Sequence, residues 1–337
     1  MSIANRYEFM YFIECKNGNP NGDPDMGNTP RMDPQDMRGL ISDVAIKRRI
    51  RNYIQYAKSN IPPYGIIIQQ SSNINKFIAQ AHEQTGNNKF EKTKRKINEA
   101  RGWLCKNFYD VRTFGAVLST GANAGQVRGA VQLTFLRSID PILPLDLSIT
   151  RMAVTENLKD RDKPFSFVQY EEWENSQPDD KLRTMGRKQL IPYGLYVGRG
   201  FISANLAEDV GFSDTDLELF WEALLNMYEH DRSASKGEMS TIAPVIIFKH
   251  TGTDSDLEQR KKQSKLGCAP AHKLFELVSI DRISDNAVPR SYKDYLIRIN
   301  LRDCPDGVEI YNAVSNSNGV EVHQVKAKNN NQMLSLW

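Results

Sequence analysis

The sequence predicts an α+β fold in which two helices pack on one antiparallel sheet. Three observations lead to this fold class. Residues 7–15 are almost all apolar or aromatic, as in a central strand. Apolar residues recur at helical spacing near residues 46–57 and again at 217–228. The elements follow the order strand, helix, insertion, strand, excursion, strand, helix, strand, which is the ferredoxin-like plan. RNA-binding modules and many enzymes share this plan, so it does not decide function.

The first strand, residues 7–15, leads into a loop rich in turn residues. Asn-Gly, Asn-Pro and Asp-Pro pairs crowd residues 17–25, and we expect no regular structure there. The first helix is predicted from about Asp36 to Lys58, because Ile46, Ile50 and Ile54 then fall on one face.

An insertion separates this helix from the next strand. Pro62 and Pro63 end the helix, and residues 89–112 carry eight basic and three acidic side chains. We therefore expect residues 61–106 to form an exposed helical insertion. Residues 127–135 alternate between apolar and mostly polar side chains, which predicts a strand with Phe135 on its apolar face. Residues 143–150 are expected to be extended.

The second half begins with a charged excursion. Residues 156–181 contain eight acidic and four basic residues, and we expect a mobile segment. Ser213 and Asp216 resemble a capping box at the start of the second helix. The remaining expectations are strands at 195–203, 242–249 and 295–299, a basic loop at 260–265 and a disordered tail at 326–337.

Composition and cysteine spacing exclude several classes of protein. The chain has 337 residues, of which 40% are hydrophobic, and its net charge of +3 is too small to indicate nucleic acid by itself. The four cysteines and five histidines are dispersed, so we expect no disulfide framework, no zinc site and no cofactor. The start lacks a signal-peptide pattern, and no apolar run approaches the ~20 residues of a membrane span. We expect a reduced, cytoplasmic protein without a membrane partner.

Amides and cations gather around the first loop and the first helix. Such groups can contact phosphates and riboses. The helix carries four basic and no acidic residues between positions 44 and 54, whereas a merely solvated face usually mixes signs. The loop also fits a simple connecting turn. The candidate contacts are Asn17, Asn19, Asn21, Lys47, Arg48 and Arg51.

Three further segments allow the same two interpretations. Residues 119–129 form a small-residue loop that runs into a strand without the spacing of a dinucleotide or Walker loop, so a nucleotide fold is rejected. Residues 185–188 form a basic hairpin segment. Residues 230–237 place small hydroxyls and two cations at a helix end. Each segment fits either a backbone contact or a solvated turn.

Two groups of residues invite a catalytic interpretation. His230 stands beside Asp231 with serines nearby, but no Gly-x-Ser-x-Gly elbow is present. Aspartates after the first strand could activate a ribose hydroxyl or hold a metal, although aspartate is also a standard turn residue. These aspartates are Asp23, Asp25, Asp33 and Asp36.

Together the segments resemble one family. Residues 17–24, Asn-Gly-Asn-Pro-Asn-Gly-Asp-Pro, are similar to the signature of the CRISPR-associated Cas-seven backbone subunits in their type I-C form, the Csd-two group. Supporting motifs lie, in the family's order, at 42–51 (Ser-Asp-Val-Ala-Ile-Lys-Arg-Arg-Ile-Arg), 110–117 (Asp-Val-Arg-Thr-Phe-Gly-Ala-Val), 125–129 (Gly-Gln-Val-Arg-Gly) and 230–235 (His-Asp-Arg-Ser-Ala-Ser). Ala130 departs from the family pattern, in which proline often follows the glycine.

The resemblance implies a hand-shaped protein that does no chemistry. Its palm would be a ferredoxin-like, RRM-type fold made of residues 1–60, 107–150 and 191–325, with a helical finger insertion at 61–106 and a thumb hairpin at 151–190. Copies would polymerise along one guide RNA (crRNA) in a Cascade surveillance complex and leave its bases free for a target DNA strand. Other implied partners are the handle-binding and large subunits.

The resemblance also implies a set of RNA-binding residues. They are Asn17, Asn19, Asn21, Lys47, Arg48, Arg51, Arg112, Asn123, Gln126, Arg128, Arg151, Arg187, Lys188, Arg232, Ser233, Ser235 and Lys236. The alternative is a metal-dependent ribonuclease that resembles the type III relatives, which cut target RNA with an aspartate of the loop after the first strand. Asp33 or Asp36 would then be the candidate.

Overall fold

The computed structural model of the protein describes residues 1–155, 166–316, 319–325 and 333–335. Within these ranges the chain has a mixed α+β fold, and its main sheet is antiparallel. The predicted fold class is confirmed at this level.

The strands are numbered in chain order. They are β1 (Tyr7–Gly18), β2 (Gly22–Asp23), β3 (Thr29–Pro30), β4 (Arg38–Ile41), β5 (Gly115–Leu118), β6 (Gly125–Arg128), β7 (Val131–Leu133), β8 (Leu136–Pro141), β9 (Leu145–Arg151), β10 (Thr184–Ile202), β11 (Glu238–His250), β12 (Val278–Arg282), β13 (Tyr295–Asn300), β14 (Val308–Asn316), β15 (Gly319–Gln324) and β16 (Met333–Ser335).

The α-helices are numbered in the same way, and two short 3-10 helices lie at Pro24–Met26 and Tyr292–Asp294. The α-helices are α1 (Asp43–Ala57), α2 (Asn75–Gln84), α3 (Lys94–Asn107), α4 (Tyr109–Phe114), α5 (Phe167–Asn175), α6 (Ala204–Val210), α7 (Asp214–Asn226), α8 (Leu257–Leu266) and α9 (Ala271–Glu276). Among the described helices, none combines the length and the apolar character needed to cross a membrane.

The main sheet is centred on β1, which pairs with β10 on one side and β11 on the other. Its strands lie in the order β15-β14-β11-β1-β10-β8-β4, and β7 and β9 also pair with β10. Along β1, Tyr7 lies opposite Ile202 and Gly18 lies opposite Ile191. Every residue from Tyr7 to Cys15 is buried, because both faces of the strand are covered.

Alternate side chains of β1 belong to two different cores. Phe9, Tyr11 and Ile13 pack in the core that includes the apolar faces of α1 and α7. Met10 and Phe12 point to the opposite face, where side chains of α9, β12 and β13 contribute to the second core. The main sheet is therefore the middle layer between helices and a second sheet.

The strand β10 continues beyond the main sheet into a projecting hairpin. Its residues 184–190 pair with β9 residues 145–151, and Leu147 and Ile149 remain exposed there. The excursion predicted at 156–181 falls partly on residues 156–165, which lie outside the described residues. Part of the rest forms α5, which begins with a capping box at Ser166.

Several predicted element boundaries are wrong. Residues 17–25 contain the end of β1, all of β2 and the start of a 3-10 helix, because Asn and Asp side chains and backbone bonds order this loop. The helix α1 begins at Asp43 rather than Asp36, since the Ser42 side chain caps it. Residues 260–265 belong to α8, which the Asp256 side chain caps. The capping box predicted at Ser213 and Asp216 is confirmed.

The C-terminal part differs most from expectation. The unpredicted strands β14 and β15 extend the main sheet, whereas β13 belongs to the small sheet. In the tail that was expected to be disordered, β16 pairs with β13 through the backbone, so the expectation is wrong for those three residues. Residues 326–332 and 336–337 lie outside the described residues.

Two buried ion pairs tie the region of α3 and α4 to the main helices. The Arg51 Nε lies 2.8 Å from Asp110 Oδ2, and both side chains are at most 7% exposed. Arg112 forms a two-pronged pair with Asp216, with N···O distances of 2.7 and 3.0 Å. Its Nη1 also donates to the Pro63 carbonyl. Because both side chains of each pair are buried, removing one partner would leave an uncompensated buried charge and would cost stability.

These ion pairs correct two of the predicted RNA contacts. Arg51 and Arg112 were expected on an RNA-facing surface, yet both guanidinium groups are buried and occupied by carboxylates. A phosphate cannot reach them without unpacking the fold. Their contacts are structural. For Arg51 the charge-run argument failed because it could not separate the inner side of α1 from its outer side.

Replacing Arg112 with Met should lower the free energy of unfolding by about 3–5 kcal/mol, because Asp216 would stay buried without a partner. Urea denaturation checks this change. Arg95→Met is the matched control: Arg95 is 81% exposed and paired with Glu99, so its loss should cost about 1 kcal/mol or less. Equal destabilisation by the two substitutions would contradict a buried structural pair.

Candidate nucleic-acid interface

The loop after β1 is fastened to the turn that precedes β11. The Asn19 backbone N–H donates to the Ser235 carbonyl at 2.7 Å, and the Asn17 amide donates to Glu238 at 3.2 Å. Gly18 allows the two backbones to approach, since a Cβ at this position would lie 2.7 Å from the Ser235 carbonyl oxygen. Residues 17–19 and 233–238 therefore form one surface.

The same loop also fixes the start of α1. Asn21 Oδ1 accepts a hydrogen bond from the Ser42 N–H at 2.8 Å, and Ser42 in turn caps the helix. The Asn19 side chain donates to the Asn28 carbonyl and is only 5% exposed. Asn19 was expected to contact RNA with its amide, but burial assigns that amide to shaping the loop. Asn17 remains exposed.

Asp231 connects α1 to the turn before β11. Its Oδ2 lies 3.2 Å from Arg49 Nε and 3.4 Å from Lys236 Nζ. Arg49 is buried and also stacks over the Tyr228 ring. Arg49 was not among the predicted site residues. It lies three residues after Ile46 and therefore next to the apolar stripe, and this spacing could have indicated that Arg49 faces inward.

The predicted cations of this region differ in the ion pairs and hydrogen bonds that they already form. Lys47 pairs with Asp43 at 2.8 Å. Arg48 is half-buried and has no ion-pair partner within the described part of the chain. Arg232 is held by both Glu229 oxygens and donates to two backbone carbonyls, so it shapes the turn around Ser233.

The hairpin that carries the small-residue loop begins beside α1. Lys47 Nζ sits 5.8 Å from the centre of the Phe114 ring, and the next residue begins the β5–β6 hairpin, where Gly115 pairs with Arg128. Gln126 and Arg128 are exposed on β6. Asn123 shapes the turn: its φ is +65° and its Oδ1 accepts from the Gly125 N–H.

The remaining candidates lie on the projecting hairpin. Arg187 pairs with Asp146 at 3.2 Å but stays 78% exposed, and Arg151 donates to the Ala153 carbonyl. Lys188 lies three residues before Ile191, which pairs with Gly18. At about 3.3 Å per residue, Lys188 is about 10 Å along the strand from the loop after β1. The hairpin thus leaves the sheet at the end where that loop lies.

A match to a protein-family model shows the family of this chain. The model described as CRISPR-associated protein Cas7 matches residues 5–300. This chain belongs to the CRISPR-associated Cas7 family. A CRISPR-associated protein Cas7 from Haloferax volcanii is 40% identical over 55 residues, which is 16% of this chain and 16% of that relative. The aligned part therefore spans about a sixth of the relative's length.

Two solved structures are similar to this Cas7-family chain. One is a chain of a "CRISPR RNA-guided surveillance complex, pre-nicking", with a TM-score of 0.45, 14% identity and coverage of 79% of this chain and 84% of that one. The other belongs to a "CRISPR RNA-guided surveillance complex", with a TM-score of 0.40, 14% identity and coverage of 77% and 75%.

Asp33 and Asp36, the aspartates named for the ribonuclease alternative, are held by structural contacts. Asp33 and Asp36 each accept a hydrogen bond of 2.8 Å from Arg137, and the Gln35 N–H together with Arg137 lowers the pKa of Asp33. Within the described residues, no group of three His, Cys, Asp or Glu side chains is arranged to hold a metal ion. Burial raises the pKa of the Cys15 thiol to about 12, which keeps this thiol protonated at neutral pH.

Gly18→Ala should separate the loop after β1 from the turn before β11, because the added Cβ would lie 2.7 Å from a backbone oxygen. We expect faster hydrogen exchange of the Asn19 amide, whose bond to Ser235 must lengthen. The control is Gly237→Ala in the same turn, where the nearest atom to an added Cβ is 3.4 Å away. Unchanged protection of Asn19 in the Gly18 variant would contradict the close approach.

Proposed function

We propose that this protein binds the backbone of a guide RNA and polymerises along it as the spine of a type I-C Cascade surveillance complex. Its further partners would be other copies of itself, the handle-binding and large subunits, and the target DNA strand that pairs with the exposed guide bases. Family membership supports this assignment. No chemical step is assigned to the protein.

One observation carries the proposal. Three segments far apart in sequence, namely the loop after β1, the start of α1 and the turn before β11, are joined into one surface through Asn19, Asn21 and Asp231. We name this the guide surface: residues 17–21, 42–48 and 231–237. It offers backbone donors, hydroxyls and cations, which are the groups that bind phosphate and ribose.

A surface of this kind suits a sequence-independent task. A guide carries arbitrary bases, so its holder must contact phosphates and sugars and leave base edges free for pairing. The guide surface has few side chains that are exposed and unpaired. Arg48 on this surface and Arg128 on β6, outside it, are the strongest candidates for phosphate contacts, since neither has an ion-pair partner among the described residues.

The division into palm, finger and thumb belongs to the same proposal. The order β11-β1-β10-β8, with α1 and α7 in the connections, supports a ferredoxin-like, RRM-type palm. The helices α2 and α3 support a finger at 61–106, and the projecting hairpin supports a thumb at 151–190. The exposed apolar residues of that hairpin suit contact with a neighbouring copy.

Charge reversal of Lys47 and Arg48 together should reduce RNA retention. If each contacts one phosphate, the slope of log affinity against log salt should fall by about 1.4, at about 0.7 per contact for a single strand. The measurements are the RNA content of the purified protein and binding titrations across salt concentrations. Lys261→Glu with Lys262→Glu is the matched control, because both lysines are exposed neighbours on α8. Normal RNA retention by the Lys47/Arg48 variant would refute the guide surface.

The ribonuclease alternative has a direct test. The assembled protein is incubated with an RNA complementary to its guide in the presence of Mg²⁺. We expect the RNA to stay intact, because Asp33 and Asp36 are already bonded to Arg137. Cleavage that disappears in Asp33→Ala or Asp36→Ala would overturn the assignment as a scaffold and establish the enzyme.

A further inference from the structure

A groove lined by arginines lies on the face of the main sheet opposite to α1. Arg38 on β4 and Arg137 on β8 line it. Arg137 points away from the helix-side core, because its neighbour Leu136 points into that core. Arg199 on β10 points to the same face as Arg137, because it lies two residues after Val197 and Val197 pairs with Arg137. Arg282 of β12 closes the groove, whose volume is about 640 Å³.

The carboxylates beside this groove are already occupied. Asp140 accepts from Arg282 through one oxygen and from the Tyr295 hydroxyl through the other. Asp33 and Asp36 each receive Arg137 on one oxygen and a backbone N–H on the other. Arg38, Arg137 and Arg282 are each paired with one or two of these aspartates, with Arg38 Nε 3.6 Å from Asp36 Oδ2. Arg199 is therefore the arginine of the groove whose guanidinium is left for a ligand.

Arg199 supplies most of the remaining donors. Its guanidinium carbon lies 5.1 Å from the centre of the Phe275 ring, which holds the group in place by a cation–π contact. The residue is exposed, and among the described residues no carboxylate pairs with it. An exposed, pre-positioned guanidinium that lacks an acidic partner is suited to an oxyanion such as phosphate.

An aromatic side chain lines the same groove. Phe135 was expected on the apolar face of a strand, but it is 55% exposed. The expectation is wrong because the predicted strand is interrupted between β7 and β8. At the interruption, the Thr134 N–H donates to the Arg199 carbonyl. Phe135 therefore stands in solvent beside Arg199.

We propose that this arginine groove (Arg38, Arg137, Arg199, Arg282 and Phe135) binds a single-stranded nucleic acid that is distinct from the guide. Arg199, which has no carboxylate partner among the described residues, holds a phosphate, and Phe135 stacks on a base. Cations combined with an exposed aromatic ring are the chemistry of sequence-tolerant single-strand binding. An acidic peptide would use the arginines but would leave Phe135 without a role. The inference does not depend on the guide surface, which lies beside α1 rather than on this face.

The test uses the full chain together with any RNA that it retains on purification. Binding of fluorescein-labelled oligothymidylate and oligouridylate is followed by anisotropy at several salt concentrations, and a labelled oligoglutamate peptide is titrated alongside. Two substitutions probe the groove, Arg199→Gln and Phe135→Ala. Both side chains are exposed, and circular dichroism checks that each variant is folded.

Removal of Arg199 should weaken binding and lower the log–log salt slope by about 0.7. Phe135→Ala should weaken binding about fivefold or more without changing the slope, because stacking carries no charge. The two oligonucleotides distinguish DNA from RNA as the bound strand. Arg302→Gln is the matched control, since Arg302 is exposed and follows the end of the β12–β13 hairpin far from Arg282.

Two results would overturn the proposal. One is equal oligonucleotide affinity in Arg199→Gln, Phe135→Ala and Arg302→Gln. The other is binding of oligoglutamate that falls with Arg199→Gln while Phe135→Ala has no effect, which would make the groove a site for an acidic protein segment. RNA retention is measured in the same samples, so a failure of the groove is distinguished from a failure of the guide surface.

Discussion

The pairing of β1 with both β10 and β11 is the constraint on which the other features depend. Because β1 is held on both edges up to Lys16, the loop after it must emerge beside the turn before β11 and beside the base of the projecting hairpin. The Asn19–Ser235 hydrogen bond then closes the first of these junctions. The guide surface is thus a consequence of sheet topology, and its side chains are positioned before any ligand arrives.

The sequence was sufficient for the elements whose signal is local. A continuous apolar segment marks β1, and a capping box with an apolar stripe marks α7. It was insufficient where the outcome depends on pairing at a distance. The strands β14 and β15 join the sheet without a strong pattern of their own, and residues 17–25 are ordered by partners such as Asn28 and Ser235 that a turn-residue argument does not consider.

The candidate site shows the same limit for charges. Four basic residues in α1 look equivalent in sequence, yet Arg49 and Arg51 face inward to Asp231 and Asp110, whereas Lys47 and Arg48 remain at least partly exposed. Helical spacing predicts which basic residues face inward only if the residues that flank the apolar stripe are counted with the inner side of the helix. No sequence motif predicts the groove on the other face, because its arginines come from four separate strands.

The central claim is that the protein holds its guide by the backbone and not by the bases. It is tested most directly by measuring the affinity of the full chain for two guide RNAs of equal length and unrelated sequence at one salt concentration. The account predicts affinities that agree within about twofold, since phosphate and ribose contacts carry no base information. A preference of about tenfold or more, the scale of a side chain reading a base edge, would contradict it.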